Sequence, residues 1–231
     1  QHRQLFRPDD PPFRLTLSAD MFVQDVLHEA LGARHLVCGP DFAFGHRRGG
    51  DVGLLGQRAE ALGIGFTAVT PLDDSGGTIS ATRIRRLLQD GYPERATSEL
   101  GRPWAIRGVV AHGEKRGRTI GFPTANIALG QHLEPARGVY AVRVTLPSGE
   151  VVSGVANIGR RPTVNDGTES RLEVNLFDFT GDLYGAELSV ALLAFLRGER
   201  KFASFEELRG QIVADAAEAR RILDHLPPIS A

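Results

Sequence analysis

The stretch Gly138-Val139-Tyr140-Ala141-Val142-Arg143-Val144, followed by Leu146-Pro147-Ser148-Gly149-Glu150 and then Val151 through Ala156, reads as a strand, a tight turn and a second strand. β-branched residues fill the flanks, and Pro-Ser-Gly supplies the turn chemistry between them. Strands of the same kind surround this hairpin. Ala105 to Val110 precedes it, Leu172-Glu173-Val174-Asn175-Leu176 alternates cleanly after it, and Glu187 to Leu196 is a longer apolar run. Several strands joined by glycine-rich turns, with no helix between them, predict an antiparallel β-barrel. The chain then turns helical. Ser204-Phe205-Glu206-Glu207 has the form of a capping box, with Glu207 expected to reach back to the helix start. Phe205, Leu208, Ile212, Ala216, Ala219 and Leu223 mark the expected buried stripe.

Upstream the rhythm differs. Phe22 to Leu31 shows helical spacing, stopped by Gly32, and Arg34 to Cys38 reads as a short strand. Asp51 is placed to cap a helix bearing Leu54, Leu55, Ala59 and Leu62, and Ile64 to Val69 is strand-like. Ser80 or Thr82 could cap a further helix ending at Gly91, and Pro93 suits the first turn of another. Strand and helix in alternation imply a parallel, doubly wound sheet with right-handed crossovers. The rhythm changes near Gly101-Arg102-Pro103, so two domains are expected, residues 1–99 and 100–231.

Composition narrows the classes. The 231 residues are 42% hydrophobic and 24% charged, and no window reaches the ~18 consecutive apolar residues of a membrane helix. The net charge of −1 gives no global attraction to nucleic acid or anionic lipid, so any basic function must be local. The single cysteine, Cys38, excludes an intrachain disulfide and cysteine-pair zinc sites, and a lone buried thiol fits a reducing compartment. The histidines show no metal-ligand spacing.

Four segments could carry chemistry. His112-Gly113-Glu114-Lys115-Arg116-Gly117-Arg118-Thr119-Ile120-Gly121 leads into Phe122-Pro123-Thr124-Ala125-Asn126. Glycines let backbone approach an anion, Lys115 and Arg118 neutralise it, and Pro123 fixes the direction of Thr124 and Asn126. A hydroxyl and a carboxamide two residues apart suit Mg²⁺ and phosphate oxygens, and a solvated loop followed by an ordinary turn fits the pattern equally well. Glu173 lies mid-strand and shares a face with Asn175, opposite Leu172, Val174 and Leu176; that carboxylate faces either water or a site. Ser80-Ala81-Thr82-Arg83-Ile84-Arg85 reads as a phosphate-binding helix start or as a plain cap. Asp41-Phe42-Ala43-Phe44-Gly45, after a strand, suits a planar anionic ligand or else plugs a core.

Taken in order, these segments resemble the bacterial bifunctional riboflavin kinase/FAD synthetase family over nearly the whole chain. Gly121-Phe122-Pro123-Thr124-Ala125-Asn126 is similar to the family's kinase signature, and Gly154-Val155-Ala156-Asn157-Ile158-Gly159-Arg160-Arg161-Pro162-Thr163 to the strand and loop that follow it. Leu183-Tyr184-Gly185 also matches. The resemblance implies an incomplete Rossmann-like nucleotidyltransferase domain followed by a Greek-key riboflavin kinase barrel with a C-terminal helix. It implies Glu173 as catalytic base, and Gly113, Lys115, Arg118, Gly121, Thr124 and Asn126 on ATP phosphates. Thr124 and Asn126 would hold Mg²⁺. Arg197 and Phe202 would contact flavin. In the first half it implies Ser80, Thr82 and Arg85 on ATP, and Asp41, Phe42 and Phe44 on flavin. Riboflavin, FMN and ATP are the implied partners and the cytoplasm the implied location, with neither nucleic acid nor membrane; weak self-association is left open. Three departures stand out. Ala81 replaces a serine, Asn175 stands where histidine is common, and the Gly-x-Phe-Asp-Gly-x-His-x-Gly-His adenylylation stretch does not occur. From the last, adenylyl transfer by the chain as given is expected to be absent or crippled.

Rival readings differ in class. A non-catalytic flavin-binding module would ignore ATP. A nucleic-acid-binding barrel would need aromatics interleaved with the basic loop, and residues 112–121 contain none. A nucleotidyltransferase acting on some other substrate would leave the kinase signature unexplained. The enzyme reading has one spatial requirement: Thr124 and Asn126 must converge with Glu173 on a shared cavity, and an acid on the barrel's outer skin pointing away from that pair would overturn it.

Overall fold

The computed structural model describes residues 17–111, 124–162 and 168–228. Packing divides the chain between Ile79 and Ser80. In the first unit, Ser18 Oγ accepts from Met21 N to start α1 (Ala19–Met21), which runs on as a π-helix through Phe22–Ala30. The Leu31 N–H reaches Val26 O at 2.9 Å, the wide i→i+5 closure of that helix type. Strands β1 (His35–Cys38) and β2 (Gly65–Ala68) pair in parallel, with α2 (Val52–Ala61) between them in sequence. This pair is the parallel sheet of the described residues, two strands of the doubly wound arrangement expected. Asp51 caps α2 as its spacing predicts, its Oδ1 accepting from Leu54 N at 2.8 Å. Ala19, Val23, Phe44 and Leu55 form the core, with Leu36 and Phe66 against it. Cys38, expected to be buried, is half-exposed. A short hairpin of β3 (Asp73–Asp74) and β4 (Gly77–Thr78), which the sequence reading does not contain, follows.

The second unit is a closed antiparallel barrel. Its strands are β5 (Ala105–Ala111), β6 (Ala125–Ala128), β7 (Gly138–Thr145), β8 (Val151–Pro162), β9 (Thr168–Leu176) and β10 (Glu187–Gly198), in the order β10-β5-β6-β9-β8-β7. β7, β8 and β9 run as consecutive neighbours and β10 returns beside β7, a Greek key. Alternation sends Ile127, Tyr140, Val142, Ile158, Leu172, Val174, Leu188 and Leu192 into the interior. The opposite set, Val139, Ala141, Val155, Ala191 and Leu193, faces outward. The C-terminal helix α5 (Phe205–His225) covers it with Ala219 and Leu223. Closure leaves no edge strand.

Two helices read as part of the first half pack with the barrel instead. α3 (Ala81–Gln89) and α4 (Pro93–Leu100) bury Leu87, Leu88 and Ala96 against Trp104 and Leu133, and Ala136 N donates to Leu88 O at 2.9 Å. Gly91 has φ +82°, and a Cβ there would press on the Phe195 ring at 3.1 Å, so the turn joining the helices needs glycine twice over.

Two details of α5 depart from expectation. Phe205, assigned to the buried stripe, is 55% exposed, because the first turn overhangs the barrel patch that begins further along the helix. Glu207 does reach back, but its carboxylate accepts from Ala203 N at 3.0 Å, one residue earlier than a capping box would have it. Ser204 Oγ accepts from Glu207 N at 3.1 Å.

Candidate active site

The segment expected to be a loop or turn around Asn126 is strand β6, and this decides the site's geometry. Ala125 and Ile127 point into the barrel, so Asn126 points out. On β9 the interior positions are Leu172, Val174 and Leu176, so Glu173 points out as well. Register puts Asn126 directly opposite Glu173, and Glu173 directly opposite Asn157 of β8. Directly opposed side chains in antiparallel strands have Cβ atoms roughly 4.5–5.5 Å apart. A carboxylate therefore stands between two carboxamides in one lateral row. The row continues through Val139 of β7 to Arg197 of β10. Asn126 and Glu173 are thus lateral neighbours, on the barrel's outer face rather than in its interior.

The surroundings fit a site for a charged transfer. Asn126 is only 8% exposed although it faces outward, and Glu173 and Asn157 are half-buried. Asn126 Nδ2 donates to Thr124 O at 3.4 Å, which orients the amide and brings the half-buried Thr124 alongside. The oxygen donors offered by Thr124, Asn126 and Glu173 are hard ligands of the kind Mg²⁺ takes, and an ion bound chiefly through substrate phosphates needs only one or two protein oxygens. Among the described residues no group of three or more His, Cys, Asp or Glu is placed to form an all-protein metal cage. Gly113, Lys115, Arg118 and Gly121 lie outside the described residues.

At the row's far end Arg197 is firmly held. Its Nε and Nη2 donate to the Asp215 carboxylate at 3.0 and 2.7 Å, its Nη1 to Gly198 O at 3.0 Å, and Gln211 Nε2 donates to the same carboxylate at 2.9 Å. The guanidinium carbons of Arg197 and Arg200 lie 5.7 and 5.2 Å from the Phe202 ring centroid, within cation–π range. Arg197 and Phe202 are therefore neighbours in one tied connection between β10 and α5. Asn157 carries no local sequence signal, whereas Asp215 does. Asp215 falls on the apolar side of α5, between Ile212 and Ala219, where a carboxylate signals a buried partner.

The adenylylation candidates fall in different packing units. Ser80 caps α3, its Oγ accepting from Arg83 N at 3.2 Å, and Thr82 and Arg85 are exposed. Arg83 pairs with Glu99 of α4 at 2.8 Å. In the first unit, Asp41 and Phe42 are exposed, whereas Phe44 is 6% exposed and belongs to the core. The Phe44 side chain is a support rather than a free surface: its ring stacks under Phe42 at 5.6 Å, and Phe44 and Gly50 exchange backbone bonds that close the loop.

The barrel carries an acid and two amides on its outer face, and residues 100–223 match the riboflavin kinase family model, which places this domain among the phosphotransferases. Residues 12–83 match the FAD synthetase family model. The chain belongs to the bifunctional riboflavin kinase/FMN adenylyltransferase family. It is 42% identical over 212 residues to the bifunctional riboflavin kinase/FMN adenylyltransferase of Escherichia coli (strain K12), covering 92% of this chain and 67% of that one. It is 40% identical over 214 residues to the protein of the same name from Bacillus subtilis (strain 168), covering 91% and 67%. A crystal structure described as a macrolide-efflux protein from Streptococcus pneumoniae superposes with TM-score 0.76 at 35% identity, covering 92% of this chain and 67% of that one. Among the described residues of this chain no helix is long and apolar enough to cross a membrane.

Proposed function

We propose that the barrel transfers the γ-phosphoryl group of ATP to the 5′-hydroxyl of riboflavin, giving FMN and ADP. In the whole protein the N-terminal part adenylylates FMN to FAD. The observation that carries the first step is the direct opposition of Asn126 and Glu173 across β6 and β9. Glu173 accepts the proton of the attacking hydroxyl, the bond to the γ-phosphorus forms, and the bond to the β-phosphate oxygen breaks. Transfer of this kind depends on positioning and charge neutralisation more than on covalent chemistry. Asn126 and Thr124 orient the phosphates and hold Mg²⁺. When bound, that ion neutralises charge on the β- and γ-phosphoryl oxygens. Gly113, Lys115, Arg118 and Gly121 complete the phosphate side, and Arg197 with Phe202 forms the flavin side.

For adenylyl transfer we assign Ser80, Thr82 and Arg85 to ATP phosphates, and Asp41 and Phe42, with Phe44 behind it, to the flavin. Residues 1–99 and 100–231 are the functional domains we propose, with α3 and α4 serving the first function while packed on the barrel. The protein works in the cytoplasm on free riboflavin, FMN and ATP. Incubating the purified chain with riboflavin, ATP and Mg²⁺ should yield FMN by chromatography; flavin that binds but is never phosphorylated would refute the kinase. FMN supplied with ATP tests FAD formation separately.

A further inference from the structure

Gly159 lies two residues beyond Asn157 on β8, on the same outward face. A Cβ built there would lie 2.7 Å from Glu199 Oε1 and 3.4 Å from Asn157 Nδ2. The space over this glycine is therefore filled by a carboxylate that reaches across β7 from just past the end of β10. Glu199 and Asn157 crowd one point next to Glu173, which opposes Asn157 directly. Neither side chain has a hydrogen-bond or ion-pair partner among the described residues, although Arg160 follows Gly159 and Arg200 follows Glu199 in sequence. Arg160 is paired with Glu134 and Arg200 with Glu207. A carboxylate and a carboxamide that converge on a reactive row without engaging each other or a neighbouring cation offer acceptors and donors at close spacing. Such a set suits vicinal hydroxyl groups, each of which both donates and accepts.

We infer that Glu199 and Asn157 bind the polyol chain of the flavin substrate, and that Gly159 is glycine so that the Glu199 carboxylate can lie flat over β8. This rests on the kinase reading and adds to it the residues that recognise the sugar-alcohol linker. The pair stands beside the proposed base, where the chain carrying the reacting 5′-hydroxyl must run. A flavin with a plain alkyl linker would leave both groups without partners, which is the kind of mismatch that a hydrogen-bonding site discriminates against.

The test compares riboflavin with its 10-(5-hydroxypentyl) analogue, which keeps the terminal hydroxyl and lacks the other three. Both are assayed with ATP and Mg²⁺ on the full chain and on Glu199→Ala, Asn157→Ala and Gly159→Ala. For Glu199→Ala and Asn157→Ala, the riboflavin KM should rise about tenfold, the scale of one lost hydrogen bond to a charged or polar group, with kcat moving far less. The analogue's KM should be the same for the variants as for the parent. Gly159→Ala should shift riboflavin in the same direction by displacing Glu199. A parallel rise for both substrates, or no rise for either, overturns the inference while the kinase reading survives. A parent chain that phosphorylates neither flavin removes the kinase reading and this inference with it.

Discussion

Replacing Glu173 with Gln isolates the proton-accepting role that the kinase mechanism assigns to it. The substitution keeps volume and rotamer count, and the row in which Glu173 sits explains why little else should change. Its direct cross-strand neighbours are the amides of Asn126 and Asn157, which can pair with a carboxamide as readily as with a carboxylate. No core residue moves, because the interior side of β9 is carried by Leu172, Val174 and Leu176. Stability should therefore stay within about 1 kcal/mol, as for surface-side changes that leave packing intact. Turnover should not. A positioned base contributes about 10²–10⁴ in rate, equivalent to roughly 3–5 kcal/mol of barrier.

The expected signature is a fall of that size in kcat for FMN formation, with riboflavin affinity by flavin fluorescence changed by no more than about threefold. A loss confined to KM would mean that Glu173 contributes binding shared by ground and transition states, not proton transfer. Near-parental kcat would refute the mechanism outright. A large loss of thermal stability would refute the claim that the row is independent of the core. Single-turnover measurement of phosphoryl transfer removes product release as a confounding step.

Other perturbations probe the scaffold. Asp215→Ala strands the Arg197 guanidinium, which is 24% exposed, beside an 8% exposed position. Breaking a fully buried pair costs about 3–5 kcal/mol, so roughly 2–3 is expected here, seen as a barrel melting temperature lower by about 5–10 °C; a shift under 2 °C would show that the pair is not structural. The Glu134 carboxyl is held at about 2 by hydrogen bonds from Arg160 first and Arg137 second. Because its folded value lies below the unfolded one of 4.5, this stabilisation is full above pH 4.5 and is lost as pH falls toward 2. With these arginines 40–45% exposed, solvent screening leaves about 1 kcal/mol. Glu134→Gln should lower the urea midpoint at pH 7 and leave it nearly unchanged at pH 2; an equal loss at both would contradict the linkage. Gly45 has φ +74°, and a Cβ there would lie 2.7 Å from the Ala19 backbone. Gly45→Ala should therefore destabilise the first unit by about 2 kcal/mol or more, read from hydrogen exchange at α1; unchanged protection would show that the close approach is not rigid.

Much of the barrel is legible in the sequence because period-two alternation is a local signal. The strands around the Leu146–Glu150 turn, the alternation at Leu172–Leu176 and the caps at Asp51, Ser80 and Ser204 all depend on residues a few positions apart. β6 is not legible in the same way. The short stretch Ala125–Ala128, just after Pro123 and Thr124, reads as the end of a loop, and only pairing with β5 and β9 makes it a strand. α3 and α4 carry the apolar residues of any amphipathic helix; nothing local says that Leu87, Leu88 and Ala96 close against Trp104 rather than against the parallel sheet. Asp215 was findable, since an acid on the apolar side of a helix demands a partner.

The site itself shows where local reading stops. Alternation separates Glu173 from Leu172 and Val174, but it cannot say which face is the interior or which residues lie beside the acid. Those neighbours are fixed by register between strands distant along the chain. Asn126 reaches Glu173 through the β6–β9 pairing, and Asn157 reaches it through β8–β9. Arg197 joins the row only because β10 returns beside β7. A slip of one residue in the β6–β9 pairing would send Asn126 toward the core, at the cost of exposing Ile127. The apolar residues that drive the barrel closed therefore also hold the acid between its amides. Register errors are opposed by the full burial energy of Ile127, Leu172 and Val174, and not by the weak interactions of the polar row alone.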